Sequence, residues 1–162
     1  MSTRKENSNI NLPEMDIQLE KLKTNERQRK ALKVYNSTLE LLYEGWPTPL
    51  VRLNSLSGRN RSVWAKLEGY NPFSNSVKDR TGFSMIMEAK ERGKLKEILY
   101  EATSTNTGIA LTSIANALGI KTRLFIPKNI QKASDIYLQI LGAEVVRLPV
   151  GLTVEAISRV DS

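Results

Sequence analysis

The fold class of this chain follows from the stretch NPFSNSVKDR, residues 71–80. The residues before it, 62–68, alternate between polar and apolar as a strand does, and apolar residues recur after it among polar ones as in a helix. The Asn-Pro dipeptide favours an extended or turn conformation, so we predict a strand, a turn and a helix in that order. We expect Ser74, Asn75 or Ser76 to cap the helix by accepting a backbone N–H.

Lys78 falls in the first turn of that predicted helix, where the helix dipole disfavours a cation and suits the carboxylate of Asp79. Most lysines are simply solvated, so the local pattern alone does not single this one out. A lysine at a position where the helix dipole disfavours its positive charge nevertheless indicates a functional role for its amine. In the neutral form that a helix start favours, an amine is a nucleophile.

Residues 76–80, Ser-Val-Lys-Asp-Arg, together with the earlier Asn-Pro, resemble the cofactor-lysine motif of the fold-type II pyridoxal-phosphate (PLP) enzymes, the cysteine synthase and cystathionine β-synthase family. The spacer between the two parts is one residue longer than in common cysteine synthases. The resemblance implies that Lys78 is both the residue that binds PLP, as an imine, and the catalytic residue that shuttles the α-proton of the substrate. PLP is the cofactor that it implies.

The stretch TSTNTG, residues 103–108, is a second hydroxyl-rich turn between a predicted strand and a predicted helix. Backbone N–H groups and hydroxyls at such a turn can hold a carboxylate, although simple N-capping by Ser104 or Thr105 explains the pattern locally. The turn resembles the Thr-Ser-Gly-Asn-Thr-Gly loop of the same family. That resemblance implies that Asn106 contacts the cofactor's 3′ oxygen.

The same resemblance implies that Thr103, Ser104, Thr105 and Thr107 form the substrate-binding turn, which takes the α-carboxylate of an amino acid. Thr105 departs from the family, which usually has glycine there. If position 105 requires a positive φ, a β-branched residue such as threonine is disfavoured there. If the position only requires a ligand to approach the backbone closely, the threonine side chain narrows the pocket. With the longer spacer, this departure resembles the archaeal O-phosphoserine sulfhydrylase branch.

Strand-like and helix-like segments alternate through the remainder of the chain. Predicted strands lie at 97–102, 121–126 and 143–148, and predicted helices at 134–141 and 153–160 as well as after the two turns. This order indicates an α/β fold with a mostly parallel sheet built from βαβ units, corresponding to the N-terminal part of a tryptophan-synthase-β-like fold. Because both turns follow strands, we expect them to open on one sheet edge, where ligands bind.

Residues 1–45 form a predicted N-terminal helical extension, with helical spacing from Glu14 to Tyr43, and residues 46–162 form the α/β domain. The extension either packs on the body or makes a dimer contact. Residues 46–53 contain two prolines, which exclude a helix, and resemble the opening segment of the PLP family.

Composition excludes several functions. The 162 residues contain no Cys and no His, which removes thiolate chemistry, Ser-His catalysis and most metal sites, so we expect no metal. The net charge of +7 permits a nucleic-acid-binding α/β domain, but the basic residues are interleaved with acids and no basic patch stands out, so we expect no nucleic-acid partner. No apolar run is long enough for a membrane span, which predicts a cytoplasmic protein with no membrane partner.

The resemblance implies an enzyme that performs β-replacement on O-acetylserine or O-phosphoserine with sulfide to form cysteine, as a homodimer. A serine or threonine dehydratase and a cystathionine β-synthase remain open alternatives. The glycine-rich loop that binds the PLP phosphate in the family's second half has no counterpart here, since Gly151 is the only glycine after Gly142. A truncated, non-catalytic fragment or interaction module is therefore the third alternative.

Overall fold

The computed structural model describes residues 32–151 and Ile157. The chain divides into two compact units, 1–34 and 35–162, and nearly all described residues belong to the second. The predicted helix before Leu32 and, apart from Ile157, the predicted helix at 153–160 lie outside the described residues.

The described part alternates helices and strands. In chain order the elements are α1 (Thr38–Glu44), β1 (Leu50–Arg52), β2 (Trp64–Lys66), α2 (Lys78–Glu91), β3 (Ile98–Ala102), α3 (Thr105–Ala117), β4 (Lys121–Pro127), α4 (Ala133–Ile140) and β5 (Glu144–Leu148), with short 3-10 turns at Asn54–Leu56 and Glu68–Tyr70. Gly93, Gly119 and Gly142 follow the ends of α2, α3 and α4 with φ of 64°, 74° and 95°, a left-handed backbone that glycine adopts without strain. The order confirms the predicted α/β class.

Strands β3, β4 and β5 form a parallel sheet in that order, with β4 in the centre. Helices α3 and α4 are the two crossover connections. Along β4 the side chains of Thr122, Leu124 and Ile126 are buried while those between them are less so, the alternation of a strand packed on one face. This arrangement confirms the predicted parallel βαβ core.

Two expectations about the chain before α2 are wrong. Strand β2 pairs antiparallel with β1, with Leu50 opposite Lys66, in a separate two-stranded sheet. The lysine turn therefore does not open on the edge of the parallel sheet, because two strands of three residues each pair locally instead. Residues 32–35 are also not helical: α1 begins only after Ser37, whose Oγ accepts the N–H of Glu40 at 3.1 Å.

The two larger apolar clusters of the described residues form most of the core. Leu42, Ile86, Leu111, Ile114 and Ala115 join α1, α2 and α3, and each is at most 1% exposed. A second cluster joins α3, β4 and α4 through Ile109, Leu124, Ile126, Leu138 and Ala143. Helix α3 contributes to both clusters, so it is the element on which the domain is built. Within the described ranges no helix combines the length and the apolar character that a membrane span needs.

Candidate active site

Asp79 anchors the loop that precedes α2. Its carboxylate is fully buried and accepts the backbone N–H groups of Phe73 and Ser74, each at 2.8 Å. The hydroxyl of Ser74 donates to the same carboxylate. A carboxylate near a helix start is also favoured by the helix dipole. Asp79 therefore bends the loop back onto the first turn of α2.

Asn71 anchors the other end of the same loop. Its Oδ1 accepts the indole N–H of Trp46 at 2.9 Å, and its Nδ2 donates to the backbone oxygen of Glu68 at 2.8 Å and to its carboxylate at 2.9 Å. Glu68 in turn pairs with Arg80. Asn75 has φ of 50°, and its side-chain amide donates to the carbonyl of Asn71 at 3.3 Å. Most polar residues of the 71–80 stretch are thus bonded to one another.

Lys78 is the first residue of α2 and is half-buried. Its backbone N–H donates to the Ser76 hydroxyl at 3.2 Å, so Ser76 accepts a first-turn N–H as predicted, but the N-cap residue is Val77, which makes no side-chain capping bond. Its Nζ has neither a hydrogen bond nor an ion pair to any residue that the structure describes. The loop therefore holds the backbone of Lys78 and leaves its amine available.

The 103–107 turn leads directly from β3 into α3, which begins at Thr105. Ser104 is the N-cap residue, but its side chain makes no capping hydrogen bond. The first turn of a helix has free N–H groups, and those of Thr105, Asn106 and Thr107 have no acceptor among the described residues, whereas Gly108 N–H donates to the Ser104 carbonyl at 3.1 Å. The turn thus presents unpaired donors at a helix start.

The side chains of this turn fall into two groups. Thr103 is 2% exposed, and its hydroxyl donates to the Ser104 carbonyl at 2.9 Å, while the Thr105 hydroxyl donates to Ser134 Oγ at 3.0 Å. The side chains of Ser104, Asn106 and Thr107 make no hydrogen bond to the described part of the chain. Ser104 and Asn106 are exposed and Thr107 is half-buried.

Thr105 has an ordinary helical backbone. Within residues 32–151 the only positive φ outside glycine belongs to Asn75, so Thr105 carries no left-handed strain. Two consequences were expected for a threonine at position 105, a conflict with a positive φ or a narrowed pocket. The first does not arise, because the φ of Thr105 is not positive. What the side chain adds is a hydroxyl that is bonded to α4.

Helices α2 and α3, which begin at Lys78 and at Thr105 of the 103–107 turn, pack against each other. Gly82 of α2 lies against α3, where a Cβ at this position would be 3.4 Å from that of Ala110. Lys78 precedes Gly82 by four residues and Asn106 precedes Ala110 by four, so each lies about 6 Å along its helix axis from the shared contact. The two predicted site segments are therefore linked through a helix–helix contact rather than through a common sheet edge.

Two residues next to the site were not identified from the sequence. Trp46 holds Asn71 through its indole, and Ser134 holds Thr105 through its hydroxyl. The two-proline segment drew attention to the neighbourhood of Trp46 but not to this bond. Ser134 is 29 residues from Thr105, and nothing in the local pattern signals a contact over that distance.

Comparisons with known proteins agree with these motifs. Residues 41–160 match the family described as pyridoxal-phosphate dependent enzyme. Over 102 residues the chain is 47% identical to cysteine synthase B of Salmonella typhimurium, and this match covers 61% of this chain and 33% of that protein. It is 39% identical over 108 residues to cystathionine beta-synthase of Saccharomyces cerevisiae, covering 63% of this chain and 21% of the relative.

A similar fold occurs in the crystal structure of a hydrogen sulfide-producing enzyme from Fusobacterium nucleatum. The TM-score is 0.68 at 30% identity, and the match covers 81% of this chain and 43% of that one. The chain spans about a third or less of the length of the two curated relatives named above. By its sequence match and its fold, the chain belongs to the family of pyridoxal-phosphate dependent enzymes that includes the cysteine synthases and cystathionine β-synthases.

Proposed function

We propose that this chain contributes the lysine-bearing half of a PLP-dependent enzyme that converts an activated serine and sulfide into cysteine. The observation that carries the proposal is how the polar residues of the two motifs are bonded. Asn71, Ser74, Ser76, Asp79 and Arg80 are engaged in holding the loop. Lys78, Ser104, Asn106 and Thr107 have side chains without partners among the described residues, and these are residues for which the family resemblance predicts contacts to ligands.

The residues present fit part of the PLP molecule. The Lys78 amine is available for a covalent bond to the cofactor. The exposed Asn106 amide is available for a contact with the 3′ oxygen that PLP carries on its ring. The contacts for the phosphate have no glycine-rich counterpart in this sequence after Gly142. We therefore expect this chain to hold the reactive end of the cofactor and a further polypeptide segment to hold the phosphate.

The chain's own groups have distinct parts in the proposed reaction. The α-carboxylate of the substrate binds at the 103–107 turn, where the hydroxyls of Ser104 and Thr107 and the free N–H groups at the start of α3 point to an anion site. Thr105 contributes through its backbone N–H because its hydroxyl is engaged. Thr103 supports the turn without binding the carboxylate, because its hydroxyl is engaged and its backbone N–H donates to the Phe125 carbonyl at 3.0 Å. Bound PLP supplies an electron sink that makes the α-proton acidic. The Lys78 Nζ removes that proton.

The net reaction is a substitution at the β-carbon. The bond between that carbon and the ester oxygen breaks, acetate or phosphate leaves with the electron pair, and a carbon–sulfur bond forms to hydrosulfide. O-acetylserine and O-phosphoserine are the two proposed donors. We also propose that the whole protein acts as a homodimer in the cytoplasm.

A cystathionine β-synthase is the second candidate, because the yeast enzyme of that name is 39% identical over the matched region. It would use the same lysine and the same turn with a larger thiol as acceptor. Incubating the protein and a serine donor with either sulfide or homocysteine, and identifying the thioether or thiol product by mass spectrometry, distinguishes the two.

Attachment of PLP tests the lysine directly. The protein is incubated with PLP, reduced with borohydride and digested, and we expect the pyridoxyl mass on the peptide that contains Lys78. The Lys78→Ala variant should lose the label, while Lys90→Ala, an exposed lysine near the end of the same helix, should keep it. Equal labelling of many lysines, unaffected by Lys78→Ala, would show that this chain has no selective PLP lysine.

A further inference from the structure

The starts of two helices meet beside the proposed substrate turn. Thr105 is the first residue of α3 and Ser134 is the second residue of α4, and the Thr105 hydroxyl donates to Ser134 Oγ at 3.0 Å. Both residues are half-buried. The bond joins segments that are 29 residues apart, so it reports tertiary placement rather than local helix chemistry.

The α4 end of this bond is firmly held. Asp135, the neighbour of Ser134, is bound by Arg147 of β5. The Arg147 Nε donates to Asp135 Oδ2 at 2.6 Å, and its Nη2 donates to Oδ1 at 2.9 Å. Its Nη1 also donates to the Lys128 carbonyl at 3.0 Å. Farther along α4, Leu138 is fully buried in the core. Because a bidentate guanidinium–carboxylate pair constrains both position and orientation, Ser134 sits on a fixed support.

The α3 end lacks the usual support. Ser104 makes no capping bond, so the first turn of α3 has free N–H groups and would fray unless something else held it. An ordinary cap would use one of those N–H groups. The bond from Thr105 to Ser134 holds the turn from the side and leaves the N–H groups of Asn106 and Thr107 unpaired within the described chain.

We propose that Ser134 is a positioning residue for the 103–107 turn: it orders the start of α3 through Thr105 without occupying the donors that would bind a substrate carboxylate. The assignment of a carboxylate to this turn rests on the function proposed above. The threonine side chain also gains a single orientation, because a helical threonine otherwise divides between two rotamers.

Amide exchange tests the ordering without any ligand. The reporter is the Gly108 N–H, whose bond to the Ser104 carbonyl closes the first turn of α3. We expect Ser134→Ala and Thr105→Val each to raise its exchange rate about fivefold, the effect of one modest hydrogen bond. The double variant should exchange no faster than either single variant, since both remove the same bond. Ser134→Thr should restore the slow rate by keeping a hydroxyl.

A matched control lies two turns farther along the same helix. Thr112 and Thr122 share a buried hydroxyl pair at 3.2 Å between α3 and β4. Thr122→Val removes that pair and should leave exchange at Gly108 unchanged. If Ser134→Ala has no effect on Gly108, or if the two single effects simply add, Ser134 does not order the turn and the proposal is overturned.

A second readout separates positioning from general stability. In the PLP-treated protein, Ser134→Ala should weaken binding of O-acetylserine about fivefold while the amount of PLP on Lys78 stays the same, and Ser134→Thr should bind as the wild type does. Unchanged affinity beside faster exchange would mean a purely structural bond and would overturn the proposal. If the wild type takes up no PLP and binds no O-acetylserine, the proposed function fails, and the exchange result alone decides whether Ser134 orders the turn.

Discussion

At the scale of the residue, the Asp79 carboxylate supports the loop before Lys78 and makes no ion pair with the lysine amine. Its two oxygens accept two backbone N–H groups and a hydroxyl from a loop that Lys78 follows. An asparagine would replace one acceptor by a donor facing a backbone N–H. We expect Asp79→Asn to lower the free energy of unfolding by about 1–3 kcal/mol, the cost of a buried unpaired polar group.

Urea denaturation measures this change. The control is Glu88→Gln in the same helix, because Glu88 is exposed and, within the described residues, pairs only with Arg92 one turn away. That variant should differ from the wild type by no more than about 0.5 kcal/mol. Equal losses in the two variants would show that the carboxylate of Asp79 does not support the loop.

Two helical glycines differ in the room around them. A Cβ on Gly108 would lie 3.1 Å from side-chain carbons of Leu124 and Thr103 and 3.3 Å from one of Leu138. Since all three neighbours are buried, we expect Gly108→Ala to cost about 1–3 kcal/mol of unfolding free energy through overpacking. Thermal denaturation followed by circular dichroism measures the loss.

Gly82 provides the matched comparison. A Cβ there meets its nearest carbons at 3.4–3.5 Å, which is ordinary van der Waals contact. Alanine is the better helix former by about 1 kcal/mol, so Gly82→Ala should be neutral or stabilising. A loss at Gly82 as large as that at Gly108 would contradict the packing described for α2 and α3.

Glu101 makes stability depend on pH. Burial raises the pKa of its carboxyl above the ordinary 4.5, so the folded state binds this proton more readily than the unfolded state. Its contribution is therefore complete below the unfolded pKa and is lost as pH rises through the folded pKa. Glu101→Gln should raise Tm relative to the wild type at about pH 7, and this gain should disappear at about pH 4.

The exposed carboxyl of Glu91 serves as the control for this measurement. Glu91→Gln should show no comparable gain in Tm between the same two conditions. A gain for Glu101→Gln that is equal at both pH values would mean that ionisation of Glu101 is not the cause.

At the scale of the element, the ion pair of Arg147 and Asp135 joins β5 to the first turn of α4. Both side chains are largely shielded, with 25% and 19% exposed. Because the pair is bidentate and partly desolvated, a double-mutant cycle with Arg147→Lys and Asp135→Asn should give a coupling energy of about 1–2 kcal/mol. Urea denaturation of the four proteins supplies the cycle.

The pair of Arg123 and Glu144 is the matched control between neighbouring strands. It is also close, at 2.7 Å, but its side chains are 38% and 56% exposed. Solvent screening should make its coupling clearly smaller. Equal couplings in the two cycles would show that burial does not distinguish these pairs.

At the scale of the whole molecule, one apolar cluster carries both proposed site segments. Ile114 of α3 is fully buried against a group that includes Ile86 of α2 and Leu42 of α1. We expect Ile114→Ala to lower the free energy of unfolding by about 2–5 kcal/mol because it leaves a cavity. Fluorescence of the tryptophans and far-UV circular dichroism should still report one transition midpoint.

Ile140→Ala in α4 is the control, since that side chain is 76% exposed. It should change stability by no more than about 0.5 kcal/mol. Separate midpoints for fluorescence and circular dichroism would mean that the helices and the sheet unfold independently, and that the two site segments are not coupled through a common core.

Local chemistry was sufficient to predict most elements of the described domain. The parallel strands, and helix α2 with its start near Lys78, follow from periodicity, proline placement and capping preferences. These features depend on neighbours a few residues apart, which a sequence displays directly. Long-range pairing does not have this property, and the expectation that the lysine turn opens on the same sheet edge as the 103–107 turn was accordingly wrong.

The sequence by itself determined the fold class, the family and the two segments proposed as the site, because motif residues such as Lys78 and Asn106 stand in a recognisable order. The tertiary structure alone decided which polar side chains are engaged and which remain available, and it showed that Trp46 and Ser134 contact the two segments. The physical reason is that hydrogen bonds over 25 or 29 residues depend on how helices pack, and packing is a property of the assembled core rather than of any local stretch.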